Sequence, residues 1–372
     1  MKKGRLFFTI PVVACALLLA ACGPGGNNDT VVETTQGEII TEGVDTEIEI
    51  TKYSTYNGLH KDRFLKKGDR IAVISPSALP SREQADAVIN GLKEWGYEPV
   101  EGKYVCTDPR TLENCKEDLE WALTDPTIKA IFCVRGGYAA SDVMDIMPQG
   151  LISGSGKIII GYSDISVYHS AWTAEGLPSV HSSMSSTFMD LPEECKEPTE
   201  RMLKGELPVY KCAASGFDKQ GSAEGILIGG NLSTIMTSIN TWYDSTNSDK
   251  PYILFLEEVD MENMFVHRCL TVLKHKGVLD NAAGIVFGEW VDYNTYCEEF
   301  SGSSRGGVFP SVMDMISKEF TDELDIPVAF GFPAGHGEKN YPLLMGEQVK
   351  LDVGQDGYTL EWVNTEKQAG GN

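Results

Sequence analysis

The chain has 372 residues, with 54 acidic and 31 basic side chains and a formal net charge of −23. So large an acidic excess argues against a nucleic-acid partner, because the phosphate backbone demands a basic surface; solubility is the plainer reading of it. The length is more than one hydrophobic core usually organises, and it points to two domains once the terminal segments are set aside.

The N-terminus carries a basic head, Lys2, Lys3 and Arg5. Residues 6–19 are mostly apolar, too short and too sharply ended for a membrane span, and they close in Leu19-Ala20-Ala21-Cys22. That order predicts a secretory signal over residues 1–21 that ends in a lipobox, with Cys22 lipidated after cleavage. The mature chain is then expected outside a bacterial membrane, held by its lipid anchor. Cleavage would remove the three basic residues and take the charge from −23 to −26. Residues 22–55 are poor in large apolar side chains and rich in Gly, Thr, Glu and Asn. They predict a flexible tether with an r.m.s. span on the order of 30 Å.

From residue 56 to 190 strands and helices alternate. Residues 70–74 read as a β-strand. Ser81 then opens a helix, with Gln84 completing a capping box and Ala85, Val88, Ile89, Leu92 and Trp95 on one face. A second strand follows near 98–105 and a helix near 109–123. A third strand at 128–134 ends in Arg135-Gly136-Gly137, and a short helix spans 139–147. The fourth strand, 157–161, runs into Gly161-Tyr162-Ser163-Asp164. This rhythm predicts an α/β fold with a doubly wound parallel sheet. Residues 191–223 hold three prolines and several charges and read as a linker. A second, smaller mixed α/β domain is expected over 224–365. Its strands lie near 225–228, 252–256, 284–287, 327–330, 348–353 and 358–363, and its helices near 231–239, 261–274 and 310–320. Residues 294–307 read as a long loop and 366–372 as a tail.

Cysteine usage is uninformative. Beyond Cys15 and Cys22 there are seven, an odd number without a C-x-x-C pair, so neither a disulfide framework nor a zinc site is indicated. Cys133 sits in an apolar run and reads as a core residue.

In open α/β sheets ligands gather at the carboxyl ends of the strands. Two consecutive strands end there in suggestive residues, Arg135-Gly136-Gly137-Tyr138 and Gly161-Tyr162-Ser163-Asp164. The glycine pair lets backbone N–H groups approach a ligand. A serine on a strand-to-helix turn has an exposed hydroxyl with a helix N-terminus behind it. On local sequence alone Ser163 is better explained as a helix cap than as a nucleophile, and Ile165 stands where a nucleophile elbow would place its second glycine. A nucleophile needs a base and a group to orient that base. Of six histidines, His336 is the distinctive one, in the Gly/Pro-rich loop Phe332-Pro333-Ala334-Gly335-His336-Gly337. Glu257 ends the apolar run Ile253-Leu254-Phe255-Leu256, and Glu258 should face the opposite way.

Taken in order, these segments, together with Gly230-Asn231-Leu232-Ser233, resemble the LD-carboxypeptidase family of serine peptidases, which also includes the microcin C self-immunity peptidases. The resemblance runs from Lys67 to about Val353. It implies a Ser163–Glu257–His336 triad, with the serine on the first domain and the other two on the second. It implies an oxyanion hole from the N–H groups of Asp164 and of Gly136 or Gly137, no metal and no cofactor, and it suggests a homodimer. Two features depart from the family pattern. Ala139 stands where members usually carry a further glycine, and many members lack a lipoprotein signal and act inside the cell.

The expected activity is hydrolysis of the bond between an L-diamino acid and terminal D-Ala in peptidoglycan tetrapeptides, at the cell envelope. Arg135 could meet the substrate carboxylate or brace the turn. Two alternatives stand beside this expectation: a peptidase that detoxifies a peptide-type antibiotic, and a solute-binding lipoprotein without catalysis.

Overall fold

The computed structural model describes residues 46–184, 191–291 and 311–363. The signal segment, Cys22, most of the tether, the 294–307 loop, Cys297 and the 366–372 tail lie outside the described residues.

In chain order the first half carries β1 (Ile48–Thr55), β2 (Arg70–Ile74), α1 (Arg82–Glu94), β3 (Glu98–Glu101), α2 (Leu112–Thr124), β4 (Ile128–Cys133), α3 (Ala140–Asp145), α4 (Leu151–Ser155), β5 (Ile158–Gly161), α5 (Ser166–Ala174) and β6 (Ser179–His181). It continues through α6 (Glu193–Leu203), β7 (Glu206–Ala213), β8 (Gly221–Asn231), α7 (Leu232–Ile235), β9 (Tyr252–Val259), α8 (Asn263–His275), α9 (Val278–Asn281) and β10 (Gly284–Val291). The last part holds α10 (Val312–Ile316), β11 (Val328–Ala329), β12 (Leu343–Met345), β13 (Gln348–Val353) and β14 (Gly357–Trp362).

The strands form two sheets. The first has the order β12-β6-β5-β4-β2-β3 and the second β1-β7-β14-β13-β8-β9-β10-β11. In the first, β3, β2, β4, β5 and β6 are parallel and β12 closes the edge antiparallel to β6. Its inner strands are largely apolar because both faces are covered, while β3 at the edge exposes Glu98 and Glu101. Ile71 and Val73 of β2 face the cluster that contains Ala85, Val88 and Leu92 of α1. Ala72 and Ile74 face the opposite cluster, with Cys115, Leu119, Ala122 and Leu123 of α2. This is the expected α/β architecture with a doubly wound parallel sheet. The capping box forms as expected: Ser81 Oγ accepts from Gln84 N, and Gln84 Oε1 accepts from Ser81 N.

The second sheet is parallel across β8, β9, β10 and β11 and antiparallel over the rest. Leu227, Ile253, Phe255 and Val286 share a core with the first sheet. On the far face Leu254, Leu256, Ile285 and Phe287 pack under Val266, Leu270 and Leu273 of α8.

Three expectations need correction. Residues 48–55 are not tether but a strand, β1, whose residues from Ile48 to Thr55 pair with β7 from Cys212 to Glu206. Its half-exposed pattern is that of an edge strand, whose partner lies about 150 residues away in sequence and is invisible to local reading. Residues 191–223 are not a linker but α6, β7 and the start of β8. The three prolines there fit into regular structure: Pro192 caps α6, Pro198 lies within it, and Pro208 pairs with Tyr53 of β1. Finally, the layer expected to be smaller carries more strands than the first, because β1 and β7 join it.

Candidate active site

The carboxyl ends of β2, β4 and β5 converge with the end of β9 and the loop after β11. At the end of β5, Ser163 has φ +62°, the left-handed region that a serine rarely occupies. Ser163 is therefore not the cap that its local sequence suggests: its hydroxyl caps nothing, and Tyr162 holds the cap position of the 3₁₀ turn that follows. The backbone here is bent so that the hydroxyl leaves the strand end, and surrounding structure must hold that bend.

The Arg-Gly-Gly turn supplies part of that surround. A Cβ on Gly136 would lie 3.0 Å from Ser163 Cβ, 3.1 Å from its Oγ and 3.4 Å from Asp164 N. Any side chain here would press on the serine, which would have to shift to make room. Gly137 has φ +152°, and a Cβ there would fall 2.6 Å from Ser77 Oγ. Among the described residues neither glycine N–H is donated to an acceptor. Ala139, the departure from the usual glycine, sits at φ −103°, ψ −2°, a conformation open to alanine, so the turn does not need a third glycine.

Asp164 is buried and ties the turn together. Its Oδ2 accepts from Ser77 Oγ, and from Ala140 N at 3.0 Å. Burial pushes its carboxyl above the ordinary range, against these hydrogen bonds. The side chain thus serves as an anchor for the 77–78, 139–140 and 163–165 segments, leaving its own backbone N–H beside Gly136.

Glu257 and His336 are in direct contact, Nδ1 donating to Glu257 Oε2 at 2.7 Å. Glu257 is fully buried, and Oε1 has no partner among the described residues. With Nδ1–H given to the carboxylate, Nε2 is left with its lone pair. Burial lowers the affinity of His336 for a proton. The charge and hydrogen bond of Glu257, with Glu258 and Glu289, together outweigh this, so the imidazole titrates above its ordinary range. Glu258 faces the other way, as alternation requires, and accepts from Asn231 Nδ2 at 2.9 Å and Ser233 N at 2.7 Å.

The His336 ring packs against that of Tyr162, the residue before Ser163, tilted at 47° with ring centroids 4.8 Å apart. Both line a cleft with Ser183, Leu191, Gly335 and Asn340. The structure thus brings Glu257 and His336 together and sets the ring on the neighbour of Ser163. Among the described residues Ser163 Oγ and His336 are not hydrogen-bonded; such bonds are often loose without substrate. Arg135 Nη1 donates to the Leu79 carbonyl at 3.0 Å, the bracing role of the two considered for it.

Of the other histidines, His169 is buried between Ser179 Oγ and the Gly161 carbonyl and is pushed down to about 4 by burial. It fixes the carboxyl end of β5 rather than serving as a base. Tyr162 and Asn340 were not legible as site residues. Glu289 was not either, although an acid within the apolar run Gly284–Val291 is a signal that could have found it. Among the described residues no group of three or more His, Cys, Asp or Glu side chains is arranged to hold a metal ion.

The geometry predicts an effect at Gly136. Gly136→Ala keeps a permitted backbone but drives a methyl group onto Ser163. The labelling of Ser163 by a fluorophosphonate should slow at least about tenfold, with the melting temperature little changed. Unaltered labelling would show that the turn and the serine are not in contact.

Residues 71–182 match the LD-carboxypeptidase N-terminal domain, and residues 224–351 match the LD-carboxypeptidase C-terminal domain. The murein tetrapeptide carboxypeptidase of Pseudomonas aeruginosa is 29% identical over 311 residues, covering 79% of this chain and 95% of its own length. The Microcin C7 self-immunity protein of Escherichia coli is 25% identical over 350 residues, covering 82% of this chain and 96% of its own. Among solved structures, a muramoyltetrapeptide carboxypeptidase from Oxalobacter formigenes shares the fold, with a TM-score of 0.68 at 24% identity over 78% of this chain and 97% of its own. With both domains matched in order and the same fold in place, the chain belongs to the LD-carboxypeptidase family.

Proposed function

We propose that this protein is a serine carboxypeptidase that removes terminal D-Ala from peptidoglycan tetrapeptides, cutting at the L-centre of the diamino acid. The observation that carries the chemistry is the hydrogen-bonded pair of a fully buried Glu257 and His336, packed against the residue that precedes a left-handed serine. The substrate rests on relatives named for murein peptides.

In this reading Ser163 Oγ attacks the scissile carbonyl while His336 Nε2 takes its proton. Glu257 keeps Nδ1 protonated and stabilises the imidazolium. The N–H of Asp164, and that of Gly136 or Gly137, receive the oxyanion; each such donor is worth roughly 3–4 kcal/mol in the transition state. The imidazolium then protonates the D-Ala amine as the C–N bond breaks, and water releases the tripeptide acid from Ser163 by the same steps in reverse. Tyr162 packs against the imidazole and narrows its range of orientations, so that fewer are lost on reaching the transition state.

The N-terminal signal and lipobox support a location outside the membrane, anchored through Cys22. Fractionation of cells labelled with a radioactive fatty acid, compared with a Cys22→Ala variant, tests that part. Purified protein incubated with a murein tetrapeptide should give tripeptide and free D-Ala in equal amounts. The similarity to a microcin self-immunity protein favours a second reading, cleavage of a peptide-type antibiotic. Rates on the two substrates, measured side by side, separate the readings: a higher kcat/KM on the antibiotic and none on the tetrapeptide would overturn the first.

A further inference from the structure

The loop that carries His336 is gripped at both ends by one residue. Glu289 N donates to the Ala334 carbonyl at 3.0 Å, and Glu289 Oε2 accepts from Gly337 N at 2.7 Å. Between these two bonds lie only Gly335 and His336. The glycines that flank the histidine are each matched to a carboxylate. A Cβ on Gly335 would come within 2.9 Å of Glu257 Oε2, and a Cβ on Gly337 would overlap Glu289 Oε2. On the strand side, a Cβ on Gly288 would lie 2.5 Å from the Ala334 carbonyl. The fit between strand and loop is therefore close at every step.

The strand is shaped for this grip. The β9–β10 register pairs Leu256 with Phe287 and then Glu258 with Trp290, so one residue on β9, Glu257, faces two on β10, Gly288 and Glu289. That is a β-bulge set beside Glu257, in a parallel pair where bulges are rare, and bulges re-aim a side chain next to active sites. Without it the β9–β10 pairing would run on in register, and the backbone of Glu289 would not meet the loop as it does.

Resting on the reading of His336 as the base, we infer that Glu289 is the positioning residue of that base, its backbone and carboxylate together clamping the 334–337 loop so that the imidazole is held between Glu257 and Ser163. Its charge also acts on the ring. The groups that face Glu289 are Glu257 from β9, His336 and Glu338 from the loop, and Cys195 from α6. Burial pushes the Glu289 carboxyl up to about 7, against the Gly337 hydrogen bond. In its ionised form it adds to the field that favours imidazolium.

Two variants divide these contributions. Glu289→Gln keeps an acceptor for Gly337 N–H but no charge; Glu289→Ala removes both. The rate of Ser163 labelling by a fluorophosphonate is measured against pH on the full chain, with NMR titration of the His336 ring alongside. Glu289→Ala should label at least about tenfold more slowly at every pH. Glu289→Gln should keep a plateau within about threefold of the wild type, while its acid limb and the His336 titration both move to lower pH. If both variants label like the wild type with the same acid limb, the inference is overturned. It is equally overturned if both lose the same fraction of the rate and the His336 titration does not move, since that is loss of structure alone. Should Glu289→Ala not fold, Glu289→Gln with its two pH readouts still decides. A wild-type chain that does not label at Ser163 sinks the nucleophile reading instead, and the NMR titration then judges Glu289 by itself.

Discussion

Ser163→Ala is expected to abolish release of D-Ala from a murein tetrapeptide, by roughly 10⁴-fold or more in kcat, with the fold retained. The substitution removes one oxygen that makes no hydrogen bond among the described residues, and the backbone at φ +62° is set by Tyr162, Asp164 and Gly136 rather than by the hydroxyl. Thermal unfolding should therefore change little, which separates loss of chemistry from loss of structure. Chromatography of the muropeptide products, with D-Ala assayed in parallel, provides the measurement. Full turnover by this variant would mean that another group attacks the bond.

The second large effect falls on Glu257. Glu257→Gln keeps the shape of a fully buried side chain but replaces a charge with a dipole. An amide can present either its oxygen or its NH₂ to Nδ1, and the NH₂ arrangement leaves the proton on Nε2, where it blocks the base. A fall of roughly 10⁴-fold in kcat is expected. The sign of the accompanying pH change follows from the opposing influences on His336. Burial pulls its affinity for a proton down, and Glu257, then Glu258 and Glu289, push it up past the ordinary value. The base works when neutral, so the wild-type acid limb should lie above the ordinary imidazole range. With Glu257 neutralised, burial gains ground and the residual activity should show an acid limb at lower pH. An unchanged limb in kcat/KM would mean that His336 is not the group that titrates.

Much of this architecture was legible because its strands are covered on both faces. Ile71–Ile74, Ile131–Cys133, Ile158–Ile160 and Ile253–Leu256 are apolar runs that admit few other readings. The edges were harder to read. β1 and β7 carry mixed side chains and gain their order from pairing across a long stretch of sequence, and β6 and β12 are three residues each. Prolines in 191–223 suggested a break, yet a helix and a strand accommodate them. At the site, residue type and order marked Ser163, Glu257 and His336. They could not show the backbone turn at Ser163, the Tyr162–His336 contact or the bulge at Gly288–Glu289, since each depends on a neighbour from a different strand.

The strand orders carry one more consequence. β12, from the region that matches the C-terminal domain, completes the edge of the parallel sheet, while β1 and β7, from well before that region, complete the other sheet. The two halves are therefore interlaced by exchanged edge strands. Cutting the chain between β6 and α6 would leave the parallel sheet without its last strand, and the second half would lack β1. Each fragment would expose a raw row of unpaired backbone groups, the kind of edge that invites aggregation. Protection from proteolysis is then a property of the whole, and Ser163 and His336 are separable in sequence but not in folding.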